Sequence, residues 1–377
     1  MSTDALPSLD ASGRHRTDGS HSIRAADRSH SRRRAASLAA IGSGLLLLAV
    51  AALLAWRGGL LPVAEVPTHR YVLGHPVAAD ALGPLAPLAD RQGSVRRGVV
   101  VAGGGGGGGG ADARKLAEFS FAESDDGPVL VDWRARVDDP FLKLMPAPDE
   151  VAAVSEALAR HVRAGATVLA WWDLSRQFRL LSGVDVAFGE QLGTPLFVPQ
   201  QWGAQREAVE TIERAFWQLD DAPEQRQRFD RFVHALLADE ESGIAELRAL
   251  ADGKRTVLVL HVRDAILLGQ LQPEKLGVAF RDLGDMSDVH GMVRRVHAWL
   301  DEHEYRAYTV THAKGQPVRA VALTDEAAGE TLAARLLPMI GNRQEDVAGA
   351  TLVYRVGGFV VYEIGAQASQ GEREAGR

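Results

Sequence analysis

Two groups of residues have the types and spacing that chemistry would need. The first is Trp171-Trp172-Asp173, with Ser175 two residues on. The apolar run TVLAWW, Thr167–Trp172, has strand length, and RQFRLL reads as a short helix ended by Gly183. The group therefore sits where a strand hands over to a helix. In open α/β sheets ligands bind beyond the carboxyl ends of strands, so Trp172, Asp173 and Ser175 are candidate ligand-binding residues. Packing in the sheet core is the competing use of the two tryptophans. The second group is His261 and Asp264, followed by Asp285, Asp288, His290 and His297. Imidazole with carboxylate suits zinc, copper or non-haem iron, which makes His261, Asp264 and His290 the candidate metal ligands. However, His290 and His297 are seven apart, whereas ligand pairs on one helix are more often three or four apart. Surface or helix-capping roles are the favoured reading of this group. There is no G-x-S-x-G, and no spacing singles out a hydrolase triad, so no catalytic residue is assigned.

The chain has no cysteine. That excludes disulfides, covalent c-type haem attachment, Fe–S clusters and thiolate zinc. No cofactor is predicted. The formal net charge is −7. Residues 1–34 hold seven Arg and four Asp, or +3, so the rest carries −10. An acidic domain argues against nucleic acid and is compatible with a basic protein partner.

The elements that must position these residues are set out along the chain. Ala35–Trp56 is an uncharged apolar run of about 33 Å as a helix, enough to cross a bilayer core of about 30 Å. Arg32, Arg33 and Arg34 precede it and only Arg57 follows. The positive-inside rule therefore places residues 1–34 in the cytoplasm and the remainder outside. The expected location is a bacterial inner membrane, crossed once, with the C-terminal domain in the periplasm. A cleaved signal is the alternative, but the run exceeds a usual h-region of about 7–15 residues. Residues 1–34 are polar and without apolar periodicity, which predicts disorder. Residues 57–114 read as a Pro/Gly-rich stalk and a glycine linker. The run Gly103–Gly110 satisfies a dinucleotide fingerprint trivially and carries no weight as one. Residues 115–365 alternate strand-like and helix-like patterns, which predicts a three-layer α/β domain with one mixed sheet, antiparallel toward its C-terminal end. Three helical segments over about 204–251 form an insertion between the sheet halves. A helix is expected over 325–339, and Gly357-Gly358 marks a hairpin. Residues 366–377 are a polar tail.

Two resemblances bear on function. Trp171-Trp172-Asp173 resembles the start of the WWDYG motif of oligosaccharyltransferase catalytic subunits. Leu174 and Ser175 replace its Tyr and Gly, and the many spans of those enzymes are absent, so that enzymatic reading is rejected. VLAWWDLSRQFRLLSG (168–183), VLVLHVRDAILLGQL (257–271) and DVHGMVRRVHAWLDEHEYRAY (288–308) together resemble the HaoB family, encoded beside the octahaem hydroxylamine oxidoreductase of ammonia and methane oxidisers. The resemblance covers roughly residues 120–365 and the single-anchor layout. It implies an accessory to periplasmic hydroxylamine oxidation that docks, assembles or tethers a multihaem oxidoreductase, and it carries over no catalytic residue. The alternatives are a periplasmic metal-dependent or glycan-handling enzyme, and a small-ligand binding module using the crevice near Asp173.

Overall fold

The computed structural model describes Asp4–Ala5 and residues 68–365, apart from 86–94, 104–113, 125–126, 193–197, 199, 218, 220–221, 285–288, 313–316 and 344. The expected anchor Ala35–Trp56, nearly all of the glycine run and the C-terminal tail lie outside the described residues. Among the described residues no helix is long and apolar enough to cross a membrane.

The mixed sheet is present, but among the described residues it is one of three four-stranded sheets. Its order is β11 (Ala350–Val356), β12 (Phe359–Ile364), β7 (Thr256–His261), β6 (Thr167–Leu169). The β6/β7 pair is parallel and the other two pairs are antiparallel, as expected of its C-terminal end. The β11–β12 hairpin turns at Gly357-Gly358, where Gly357 takes φ +53°.

The other two sheets correct the single-sheet expectation. One is the antiparallel meander β2 (His69–Pro76), β3 (Val95–Ala102), β4 (Lys115–Ala122), β5 (Val129–Ala135). Its first two strands lie in the stretch read as a stalk. Arg96, Arg97 and Gly98 interrupt the apolar run of β3 and hide its strand character. Gly98 is required by packing, since a Cβ there would collide with the Phe119 ring. The other sheet is antiparallel, with β1 (Asp4–Ala5), β8 (Val278–Asp282), β10 (Arg319–Leu323) and β9 (Tyr308–Thr311) in that order. Asp4 and Ala5 thus pair with Phe280 and Ala279, in a tail expected to be disordered.

Helices cover the mixed sheet. α1 (Pro148–His161) buries Val151, Val154 and Leu158, the spacing that predicted it. α2 (Trp172–Ser182) ends at Gly183 in the left-handed region. The expected insertion is α3 (Arg206–Trp217), α4 (Pro223–Leu237) and α5 (Glu240–Leu250). Pro223 opens α4, where its missing N–H costs nothing. The Asp239 carboxylate caps α5 by accepting from the Ser242 N–H at 3.0 Å. α6 (Val262–Leu271) and α7 (Val289–His303) follow. The single helix expected over 325–339 is two short ones, α8 (Glu326–Gly329) and α9 (Leu332–Leu336), because Thr331 starts a new helix by accepting from the Ala334 N–H.

One core joins Leu258, Val259 and Phe359 of the mixed sheet to Val154, Phe178, Phe232, Leu247, Ile266 and Leu336 of the helices. A separate core fills the meander, where Trp217 of α3 meets Phe119 and Phe121 edge-on at 6.2 and 5.6 Å. Such aromatic pairs contribute about 0.5–1.5 kcal/mol each beyond burial, so α3 is fixed to the meander as well as to the chain around it.

Candidate functional site

The parallel strands β6 and β7 both run into helices at their carboxyl ends. β6 leads to α2 through Ala170 and Trp171, and β7 leads directly to α6. The first turns of the two helices therefore lie side by side. They bring Asp173 against Arg263, with Arg263 Nη2 donating to Asp173 Oδ1 at 2.6 Å. Both side chains are almost fully buried.

Asp264 stands on the other side of the same guanidinium, its Oδ1 3.6 Å from Arg263 Nε. One buried positive charge thus serves two carboxylates. Asp173 holds the close ion pair. Burial, aided by the charge of Asp173 and opposed by Arg263, pushes the Asp264 carboxyl up to about 7. Asp264 also accepts the His261 N–H at 2.9 Å through Oδ2, while His261 Nδ1 accepts the Arg263 N–H at 3.1 Å. His261 and Asp264 together form a capping box that starts α6, the capping role the sequence favours for this group. Burial lowers the His261 pKa below its ordinary value, with Glu150, 3.8 Å away, pulling the other way.

The remaining candidates separate. The Ser175 hydroxyl is fully buried and donates to the Ala170 carbonyl at 3.1 Å, closing the turn into α2. His290 is exposed at the start of α7, and the His297 ring lies 6.4 Å from that of Tyr308. Asp285 and Asp288 lie outside the described residues. The cap occupies His261 Nδ1, and among the described residues no group of three or more His, Asp or Glu is placed to hold an ion.

Trp172 and Asp173 are among the residues that line a small, partly open cavity of about 50 Å³. The meander forms the opposite wall through His69 and Tyr71 of β2 and Trp133 of β5, and α3 adds Glu213 and Trp217. Trp202 closes another side and stacks on His69 at 5.3 Å. Glu213 is the best-held polar group there. It accepts from Tyr71 Oη at 2.5 Å and Trp217 Nε1 at 3.0 Å, and lies 3.2 Å from His69 Nε2. Burial and the Glu213 charge together raise the Tyr71 pKa well above its ordinary value. Arg176 lines the cavity too, with its guanidinium donating to the carbonyls of Pro128 and Gly189 at 2.9 and 3.2 Å.

His69, Tyr71, Glu213 and Trp217 are absent from the sequence candidates. Their local signals are real but small: His69 and Tyr71 share one face of a strand, and Glu213 and Trp217 are one helical turn apart. Nothing local links them across the more than 140 residues between the pairs.

A second cavity lies under the α6 cap, lined by Glu150, His261, Arg263 and Arg319. Arg319 forks onto Asp282 at 2.6 and 3.0 Å and donates to the Lys143 carbonyl at 3.1 Å, so its charge is committed to holding β8, β10 and the loop before α1 together.

Comparison with known proteins matches residues 35–364 to a family model described as "HaoA-associated protein HaoB". The match takes in both the stretch of roughly 120–365 and the apolar run that the resemblance covers. No curated protein and no solved structure matches the chain.

Proposed function

The chain belongs to the HaoB family of HaoA-associated proteins, and from that footing we propose a membrane-anchored periplasmic accessory that docks or tethers the hydroxylamine oxidoreductase HaoA. The family name associates its members with that enzyme. The observation that carries the finer reading is where the match begins. Residue 35 is the first of the apolar run Ala35–Trp56, so run and α/β domain belong to one family unit. An uncharged run of this length preceded by Arg32, Arg33 and Arg34 is long enough to span and oriented to place the domain outside. A chain without cysteine stands beside a multihaem protein as a partner and brings no covalently attached haem of its own.

Affinity purification of the tagged full chain from detergent-solubilised membranes of its own host tests the proposal. The expected result is co-elution of the oxidoreductase, identified by mass spectrometry and by a Soret band in the eluate. A colourless protein that elutes alone at low and at physiological salt would overturn the docking role.

A further inference from the structure

Charge is unevenly spread over the domain. The chain after residue 34 carries −10, yet the segments around one groove are basic. This groove, of about 350 Å³, lies between the carboxyl end of α1 and the strands β7, β12 and β11. The stretches 156–163, 254–257, 350–356 and 359–364, which contribute its walls, hold five Lys or Arg against two Glu. Both acids are already engaged, Glu156 by Arg160 and Glu363 by Arg255. Arg163, Lys254 and Arg355 are exposed and make no ion pair among the described residues.

Between these cations the groove is apolar, lined by Val162, Val257, Val361 and the ring of Tyr354. At its margin Leu352 and Val353 are 51 % and 53 % exposed. Successive residues of a regular strand face opposite ways. A bulge between Leu352 and Tyr354 breaks that alternation and leaves both aliphatic side chains open to solvent. β11 is the outermost strand of its sheet, so no further strand of that sheet lies beyond them. Open aliphatic groups beside unpaired cations suit an anionic lipid surface: the apolar groups enter the headgroup boundary and the cations meet the lipid charge. A tyrosine with one apolar and one wet end suits the same boundary.

We propose that this face of the domain rests on the bilayer, with Leu352 and Val353 in the headgroup boundary and Arg163, Lys254 and Arg355 on anionic lipid headgroups. The length of the tether favours lipid as the occupant. Residues 57–67, between the apolar run and the start of the domain, reach at most about 40 Å when fully extended. A domain so held meets the bilayer at high effective concentration. This orientation takes the anchored topology proposed above as its premise and adds which face turns to the membrane.

The full chain reconstituted in lipid nanodiscs tests it. Because the chain has no cysteine, an environment-sensitive fluorophore can be attached at Val353→Cys alone. Ile340→Cys is the control, an equally open aliphatic position whose neighbour Gly341 lines a groove with Asp325, Glu326 and Glu330. Nitroxide-bearing lipid in the discs quenches a label that reaches the headgroup boundary. In discs containing phosphatidylglycerol the label at position 353 is expected to be quenched and blue-shifted, and the label at position 340 is not. Phosphatidylcholine discs and high salt should both weaken the quenching. Arg163→Gln and Lys254→Gln should each lower the ratio of docked to undocked domain about fivefold, the contribution of one cation near the surface. Leu352→Cys gives the same reading if Val353→Cys does not fold. A chain that fails to enter the discs overturns the anchor and the orientation together. A chain that enters but whose label at 353 is not quenched overturns the orientation alone. Equal quenching at 353 and 340, or in the two lipids, also overturns it, as does a label that responds only when purified oxidoreductase is added, which would make this face a protein-docking surface.

Discussion

Arg263 is the residue on which the two halves of the candidate site depend, and its value is that of a buried charge with one close partner. Replacing it by Met leaves Asp173 charged, buried and unpaired. Breaking a buried pair from one side costs about 3–5 kcal/mol, so Arg263→Met is expected to lower the stability measured by denaturant unfolding by that amount. Asp264 gives a pH signature of a different kind. Its folded pKa, about 7, lies above that of an unfolded aspartate. Its contribution is therefore fully present below about pH 4 and is lost as pH rises through 7. Stability of the parent chain relative to Asp264→Asn should fall across that window by up to about 1.4 kcal/mol per pH unit and level off beyond it. A flat difference would contradict a protonated Asp264. His261 acts in the opposite sense. Its lowered pKa makes its contribution present above about pH 6.5 and lost as pH falls. His261→Asn retains a side chain able to cap α6 and should remove that acid-side loss. At this scale the sequence was half legible. Asp173 is legible from its position after a strand, and His261 and Asp264 from their residue types, but imidazole and carboxylate three apart serve a helix cap as well as a metal. Arg263 lay unnoticed between them because its meaning comes from a contact 90 residues away.

Elements were easier to read where periodicity is strong and local. α1, α2 and the three helices of the insertion follow from their apolar spacing and their Pro, Asp and Gly punctuation, and the last hairpin from Gly357-Gly358. The meander was half missed because β2 and β3 are broken by charges, Pro and Gly, and only pairing with β4 makes them strands. That omission hid the cavity, since the strand carrying His69 and Tyr71 supplies its far wall. The hairpin turn also shows how elements lock one another. The Gly358 N–H donates to Glu150 of α1 at 3.2 Å, and its carbonyl accepts the first N–H of α6 from Val262 at 3.0 Å. A Cβ on Gly358 would run into the His261 ring. Gly358→Ala should therefore disturb both hairpin and cap and cost about 1–3 kcal/mol, the range for overpacking a filled site. The expected readout is a lower denaturation midpoint at an unchanged m-value.

At the scale of the whole molecule the decisive question is which side of a membrane the N-terminus occupies. The proposed topology puts residues 1–34 in the cytoplasm. The pairing of Asp4–Ala5 with β8 puts the N-terminus beside the domain instead, and the two arrangements exclude each other when Ala35–Trp56 spans. The energies favour spanning. A two-residue ladder offers a few backbone hydrogen bonds, each about 0.5–1.5 kcal/mol net. The apolar run holds seven leucines and one isoleucine, each contributing about 0.3–0.6 kcal/mol to insertion near the helix centre, and the arginines before it resist translocation. Because the chain has no cysteine, single cysteines report position without background. In spheroplasts, a membrane-impermeant maleimide is expected to label Ser369→Cys at once and Ser22→Cys only after lysis. Labelling of both without lysis would place tail and domain on the same side, which fits the β1–β8 pairing and removes the spanning anchor from the proposal. Labelling of neither until lysis would put the domain in the cytoplasm, out of reach of a periplasmic oxidoreductase, and the docking role would fall with it.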